Sequence, residues 1–170
     1  FHHMYGFIIV ELDGKNFHIR QVNSDNNGDF YDVYNRVKDG EVFENTDGVD
    51  VAILGDIHVR HNNKDVTKAS FDFIKKTKPK YIVAHDVAEM ESILHWDEKD
   101  PFRLMQKAEE GLDSLDEELE EILQWVENHK DYGHLVFARS NHDDMLDRWL
   151  KASDWRRIND KNKKAYLRLS

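Results

Sequence analysis

Three runs of consecutive apolar residues punctuate the chain: Val51-Ala-Ile-Leu54, Tyr81-Ile-Val-Ala84 and Leu135-Val-Phe-Ala138. None alternates with polar residues, the pattern of strands buried on both faces. Between the first two, Asp65 to Lys76 carries Val66, Ala69, Phe71, Phe73 and Ile74 in a rough helical stripe. Lys75, Lys76 and Lys78 suit the C-terminus of that helix, and Pro79 ends it. Strand, helix and strand within about 35 residues predict a βαβ unit, which almost always makes a right-handed parallel crossover. Further on, Leu112, Leu115, Leu119, Ile122, Leu123 and Val126 recur at helical steps. They predict one long amphipathic helix from Phe102 to His129, with the acidic run Asp116 to Glu121 as its solvated face. After the third apolar run, Met145 to Leu150 begins another helix, with Asp143 and Asp144 near its positive end. The tail from Lys151 to Ser170 is basic, with Trp155, Tyr166 and Leu167 as anchors.

The first third reads differently. Phe7 to Val10 is a strand, Asp13-Gly14 a tight-turn signal, and Asn16 to Val22 alternates apolar with polar residues. These make a β-hairpin with one face buried. Asn23 to Gly28 is a polar loop, and Asp29 to Val37 is a short helix or irregular. Asp39-Gly40 and Asp47-Gly48 are turn signals bracketing a short strand near Val42. The expected organisation is an α/β fold: a hairpin lead-in over 1–48, then an α/β domain over 49–170.

Composition narrows the function more than the fold. The chain has 170 residues, 39% hydrophobic and 34% charged, with 34 acidic against 24 basic residues and a formal net charge of −10. That balance excludes broad nucleic-acid binding through a basic face. It leaves room for a nucleic-acid enzyme, because bound cations invert the field of clustered carboxylates. There is no cysteine, hence no disulfide framework, thiolate metal site or cysteine nucleophile. This usage fits a reducing cytoplasm. No apolar run approaches the ~18 residues of a membrane span, and Phe1-His2-His3-Met4 lacks the character of a signal peptide.

Each apolar run ends in potential metal ligands: Asp56 and His58, then His85 and Asp86, then Asn141 and His142. Open α/β sheets bind ligands at the carboxyl ends of their strands, so the three clusters fall in one place. A carboxylate and an imidazole two residues apart can converge on one ion. The set suits two-metal hydrolysis, in which cations about 3.5–4 Å apart activate water and stabilise charge on a phosphoryl group. Asp86, with two oxygens, is the natural bridge, and Asn141 offers a neutral carbonyl oxygen. His142 is suited to protonate a departing alkoxide, with Asp143 holding its imidazole.

Gly55-Asp56-Ile57-His58, the aspartate after the next strand, and Asn141-His142-Asp143 together resemble the calcineurin-like metallophosphoesterase superfamily, whose signature is D-x-H, G-D-x-x-D and G-N-H-(D/E). The resemblance covers roughly residues 49–150. Within the superfamily the wording is closest to the pre-early host-DNA-degradation proteins of T5-like phages. The strings that carry this are Phe1-His-His and Ile19-Arg-Gln-Val22, His85-Asp86-Val87, Lys99-Asp100-Pro101, Ser140-Asn141-His142-Asp143 and Arg148-Trp149-Leu150. The resemblance implies the layered metallophosphoesterase sheet with flanking helices, incomplete at its C-terminus. It also implies two divalent metals, manganese first with iron, zinc or magnesium open, and DNA as substrate in a host cytoplasm. His85 and Ser140 stand where the wider family has glycine, and Glu89 takes the second acid of G-D-x-x-D. The family completes its site with a further histidine and a downstream G-H-x-H, yet no histidine follows His142. Both metals are therefore expected to be under-coordinated. With no initiator Met, the chain reads as an internal fragment of a longer one.

Other residues have plainer readings beside the functional one. His85 lines a phosphate pocket or serves as a donor behind the metals, and Glu89 joins it at the substrate side. His95 and Trp96 offer a ring on which a nucleic-acid strand could stack, unless the indole packs on the core. Arg139 contacts a phosphate or makes a structural salt bridge. His61, His18, His129 and His134 read as surface residues. The leading function is a metal-dependent phosphodiesterase, specifically a phage nuclease. The alternatives are a phosphatase of the same superfamily or a catalytically incomplete interaction module, and a homo-oligomer is left open.

Overall fold

The computed structural model describes residues 5–44 and 48–170; Phe1, His2, His3, Met4 and Asp47, named above, lie outside these. The first part is a five-stranded antiparallel meander in the order β1-β2-β3-β4-β5. Its strands are β1 (Tyr5–Asp13), β2 (Asn16–Ser24), β3 (Phe30–Asp32), β4 (Asn35–Lys38) and β5 (Glu41–Glu44). The segment 29–37, expected as a helix or irregular, is thus a hairpin of its own. Between β4 and β5, Asp39 and Gly40 have φ of 51° and 80°, the double left-handed turn that matches strand twist. The face expected to be buried is open. Ile8, Val10, Leu12, Phe17 and Ile19 share one side of the β1–β2 ribbon by register and all stay exposed. The opposite side carries Arg20, forked between Glu11 and Asp32, and Phe7 set edge-on to Phe30. Alternation separates two faces of a strand but does not say which one is covered.

The second part holds a three-stranded parallel sheet in the order β6-β7-β8: β6 (Val51–Asp56), β7 (Tyr81–His85) and β8 (His134–Ala138). Helix α1 (Lys64–Thr77) connects β6 to β7, as expected. Asn63 caps it by accepting from the amides of Asp65 and Val66, and Lys78 ends it at φ 45°. The central strand supplies Ile82 and Ala84, fully buried against Phe71 and Ile74 of α1 and against Trp125. The edge strands depart from expectation, for Ile53 of β6 is 77% exposed and Val51, Tyr81 and Val136 share its open face. An unbroken apolar run marks two apolar faces, while the packing in the described residues covers only the face of Ala52, Leu54 and Leu135.

The single long helix is two: α2 (Pro101–Glu110) and α3 (Leu115–His129). Gly111, at φ 74°, returns its N–H to the Lys107 carbonyl, and Ser114 caps the next helix through the Glu117 amide. Glycine stop and serine start were both legible, but the leucine stripe ran across them. The acidic run of α3 is not a uniform solvated face either, because Glu118 is only 1% exposed. Helices α4 (Asp143–Ala152) and α5 (Asp160–Leu169) close a second core of Leu115, Met145, Trp149, Ile158 and Ala165. Tyr166 packs on Trp149 and Trp155, whereas Leu167 is exposed rather than an anchor. The segment from Val87 to Ile93 threads between the two cores, contributing Val87 to one and Ala88, Met90 and Ile93 to the other. Among the described residues no helix is long and apolar enough to cross a membrane.

His129, expected at the surface, is half-buried, stacked on Phe71 at 3.8 Å, and donates from Nδ1 to the Trp125 carbonyl at 2.6 Å. Burial holds its pKa below the ordinary imidazole value, only partly offset by that carbonyl. Its neutral form is favoured by folding, so the unfolded chain takes up the proton first as pH falls. Stability is therefore lost on acidification below about 6.5. In His129→Phe, which keeps the ring stack, the fall in melting temperature between pH 7.5 and 5.5 should be smaller than in the native chain. Identical pH dependence in the two proteins would remove His129 as its source.

Candidate metal centre

The clustered residues are delivered by a local distortion of the parallel sheet. β6 shifts register against β7 between Ile53 and Asp56, and the two chains then run on together past the strand ends. Ile57, His58 and Val59 donate their amides to the carbonyls of His85, Asp86 and Val87 at 3.2, 2.7 and 3.1 Å. Within this ladder His58 and Asp86 lie side by side with φ of 43° and 45°. Left-handed backbone at a non-glycine residue is costly, and such residues gather where function requires a side chain to be re-aimed.

Two overlapping groups of ligand atoms result, each with its members within 4.8 Å of one another. One is Asp56, His58 and Asp86; the other is His58, Glu89 and His142. The residue common to both is His58, while Asp86, expected as the bridge, belongs to the first. A neutral imidazole offers one lone pair, so it serves one ion at a time. Glu89, expected at the substrate side, stands in the ligand cluster, its carboxylate 2.5 Å from His58 Nδ1. His142 enters the same cluster, its ring edge-on to His58 with centroids 5.0 Å apart.

The tautomers follow from the partners. His142 Nδ1 meets the Glu89 carbonyl at 2.9 Å, and a carbonyl only accepts, so Nδ1 carries the proton and Nε2 keeps its lone pair. That is the common arrangement of a ligating histidine, whose second nitrogen donates to a carbonyl. His85 Nδ1 lies between the carboxylates of Asp56 and Asp86, at 3.2 and 3.1 Å, and orders both. Asp143 does not hold the His142 imidazole: its carboxylate accepts the Ser140 amide at 2.8 Å and so closes the turn leading into α4. Asn141 occupies that turn and is exposed. Arg139 is engaged elsewhere, with Asp144 and Asp147 of α4 at 2.7 and 2.8 Å, the structural salt bridge rather than a free cation. His95 and Trp96 form an edge-on pair at 4.6 Å, and the indole, 56% exposed, is not packed on the core. His61 is held by the Glu91 carboxylate at 2.8 Å.

Two buried polar atoms in the cluster lack hydrogen bonds among the described residues: Asp86 Oδ1 and His58 Nδ1, the latter close to Glu89 but misaligned. Buried polar atoms are rarely left so unless something else meets them. Both orphans are of the types that ligate first-row divalent metals, and the mixed nitrogen and oxygen set suits manganese, iron or zinc. Burial by itself raises the Asp86 carboxyl, but the Ser140 hydroxyl and the imidazoles of His85, His142 and His58 outweigh it and leave its pKa below the usual value. The aspartate is thus held ionised, ready to take a cation.

The residue that sequence reasoning missed is Glu118. Its carboxylate accepts the amides of Glu91 and Ser92 at 3.0 and 3.1 Å and the Ser92 hydroxyl at 2.7 Å. It thereby pins the short turn after Glu89 to α3. A signal existed, since Glu118 falls on the apolar stripe between Leu115 and Ile122.

Over 157 residues the chain is 30% identical to Protein A1 of Escherichia phage T5, a match taking in 87% of this chain. The chain is related to a phage protein. It spans 28% of that relative's length. No family model and no solved structure matches the chain.

Proposed function

We propose that this chain carries the metal-binding half of a calcineurin-like metallophosphoesterase and acts as a metal-dependent phosphodiesterase on DNA. The observation that carries the reading is the buried Asp86 Oδ1, without a hydrogen bond among the described residues, inside a cluster of five carboxylate and imidazole side chains. Asp56, His58 and Asp86 would hold one divalent ion, with Glu89 and His142 the start of a second position. A bound cation supplies Lewis-acid polarisation of a phosphoryl oxygen and makes water a nucleophile near neutral pH. The protein's own groups do the rest. His85 keeps Asp56 and Asp86 aligned, and the Glu89 carbonyl fixes the His142 ring. With its proton on Nδ1, His142 presents Nε2 either as a ligand or as the atom through which a proton reaches a leaving oxygen. The sequence resemblance favours DNA over a small phosphomonoester.

The test is cleavage of plasmid DNA with Mn²⁺, against EDTA and against 4-nitrophenyl phosphate. Cleavage of DNA that needs the metal, and falls by about a hundredfold or more in His142→Ala, is expected. Turnover of the monoester without DNA cleavage would turn the reading to a phosphatase. Absence of any metal-dependent cleavage would leave an interaction module.

A further inference from the structure

A cavity of about 660 Å³ opens beside the metal cluster, between the β6–α1 loop and α3. Small-molecule sites span roughly 300–1,000 Å³. Asp56, His58 and Glu89 stand in its wall, so it is continuous with the proposed metal positions. Away from them the lining changes character. Leu54, Phe71 and Trp125 give an apolar, aromatic floor, and Asn62, Thr67 and Ser70 supply neutral polar groups. Among the described lining residues there is no lysine or arginine. The Thr67 and Ser70 hydroxyls donate to the carbonyls of Asn63 and Val66 and keep their lone pairs to accept from a ligand. Trp125 is buried, and its indole N–H has no acceptor among the described residues, although buried indoles ordinarily find one.

The geometry points to a subsite for one unstacked nucleobase, attached to the phosphoester whose phosphate faces the metals; this rests on the phosphodiesterase reading above. The ligand must be anionic at one end, where cations would sit, and flat, neutral and rich in hydrogen-bonding groups at the other. A nucleotide divides its chemistry in that way. Enzymes that take a base out of the stack seat it against aromatic and apolar side chains and read its edge with polar ones. For a chain of net charge −10, base and metal contacts replace the basic groove that holds most DNA-binding proteins on the backbone.

The test separates the pocket from the metals. The full chain in EDTA, titrated with thymidine, which carries the base without a phosphate to be repelled by the metal-free carboxylates, should show saturable movement of the Trp125 indole N–H resonance, assigned with Trp125→Phe. Thr67→Phe, which fills the cavity from α1, should abolish that movement. With Mn²⁺ it should cut cleavage of thymidine 5′-(4-nitrophenyl phosphate) by about tenfold or more and leave methyl 4-nitrophenyl phosphate, which has no base, unaffected. If Thr67→Phe loses its dispersed spectrum, Asn62→Ala carries the test with an expected weakening of thymidine binding of about threefold or more. A native Trp125 response in the folded variants, or equal losses on both diesters, would overturn the subsite. Should the native chain cleave neither diester yet bind thymidine in EDTA, the phosphodiesterase reading fails and the base subsite stands.

Discussion

Replacing Asp86 with asparagine should abolish the thermal stabilisation that Mn²⁺ gives the native chain. A ligand at a hundred times its dissociation constant adds about 2.7 kcal/mol to the folded state. For a domain of this size each kcal/mol moves the midpoint by about 2–4 °C, so the native chain should gain roughly 5–10 °C. The amide of Asp86→Asn has the shape of the carboxylate but lacks the charge that remains after burial and the surrounding imidazoles are weighed together. It also places an N–H where Asp86 Oδ1 now stands without a partner. In EDTA the variant should melt somewhat below the native chain, because it loses the contacts that favour the ionised carboxyl, so the comparison is of the shift each protein gains from Mn²⁺. A variant that gained as much from Mn²⁺ as the native chain would show that the metal, if any, binds elsewhere.

Glu118→Ala should be the most damaging single change away from the metal cluster. One buried carboxylate accepts three hydrogen bonds from Glu91 and Ser92, and the alanine variant would leave those donors unsatisfied inside the protein. Hydrogen bonds to charged groups are worth about 1.5–3 kcal/mol each and are not additive, so a net cost near 3 kcal/mol is a conservative estimate. That corresponds to a fall of about 6–12 °C in the melting temperature. Because the turn it anchors follows Glu89, Mn²⁺ affinity should drop as well, measured by titration below the new midpoint. Glu118→Gln, with one accepting oxygen left, should lie between. A melting temperature within a degree or two of native for Glu118→Ala would mean that the turn is held by its packing of Met90 and Ile93 alone.

These two residues show what could be read in the chain and what could not. Asp86 was legible because its strand is an unbroken apolar run that stops abruptly on a charged group, and strand ends at one sheet edge share a location. Glu118 was hidden inside an acidic run whose members look alike in sequence, though one of them points inward. The break at Gly111 and Ser114 carried ordinary cap signals, yet the leucine spacing on either side kept the same phase. His129 read as a surface residue because Phe71, the ring that covers it, is far away in sequence. Arg139 stayed open between a phosphate and a salt bridge although its carboxylate partners, Asp144 and Asp147, are only five and eight residues on.

The sequence by itself determined the local elements, the parallel order of strand, helix and strand, and the fact that Asp56, His58, Asp86 and His142 fall at strand ends. Those features follow from apolar periodicity and turn chemistry, which act over a few residues. Only the tertiary structure decided that His58 is the residue shared by the two ligand groups and that Asp143 turns away from His142. It also decided that Glu89 joins the ligands and that one face of each sheet stays open. Such outcomes depend on register between strands, on left-handed backbone at two adjacent positions, and on which helices reach which face. Apart from the Asp143 turn, which the Ser140 amide closes locally, no short stretch of chain contains that information, because it is set by groups tens of residues apart meeting in space.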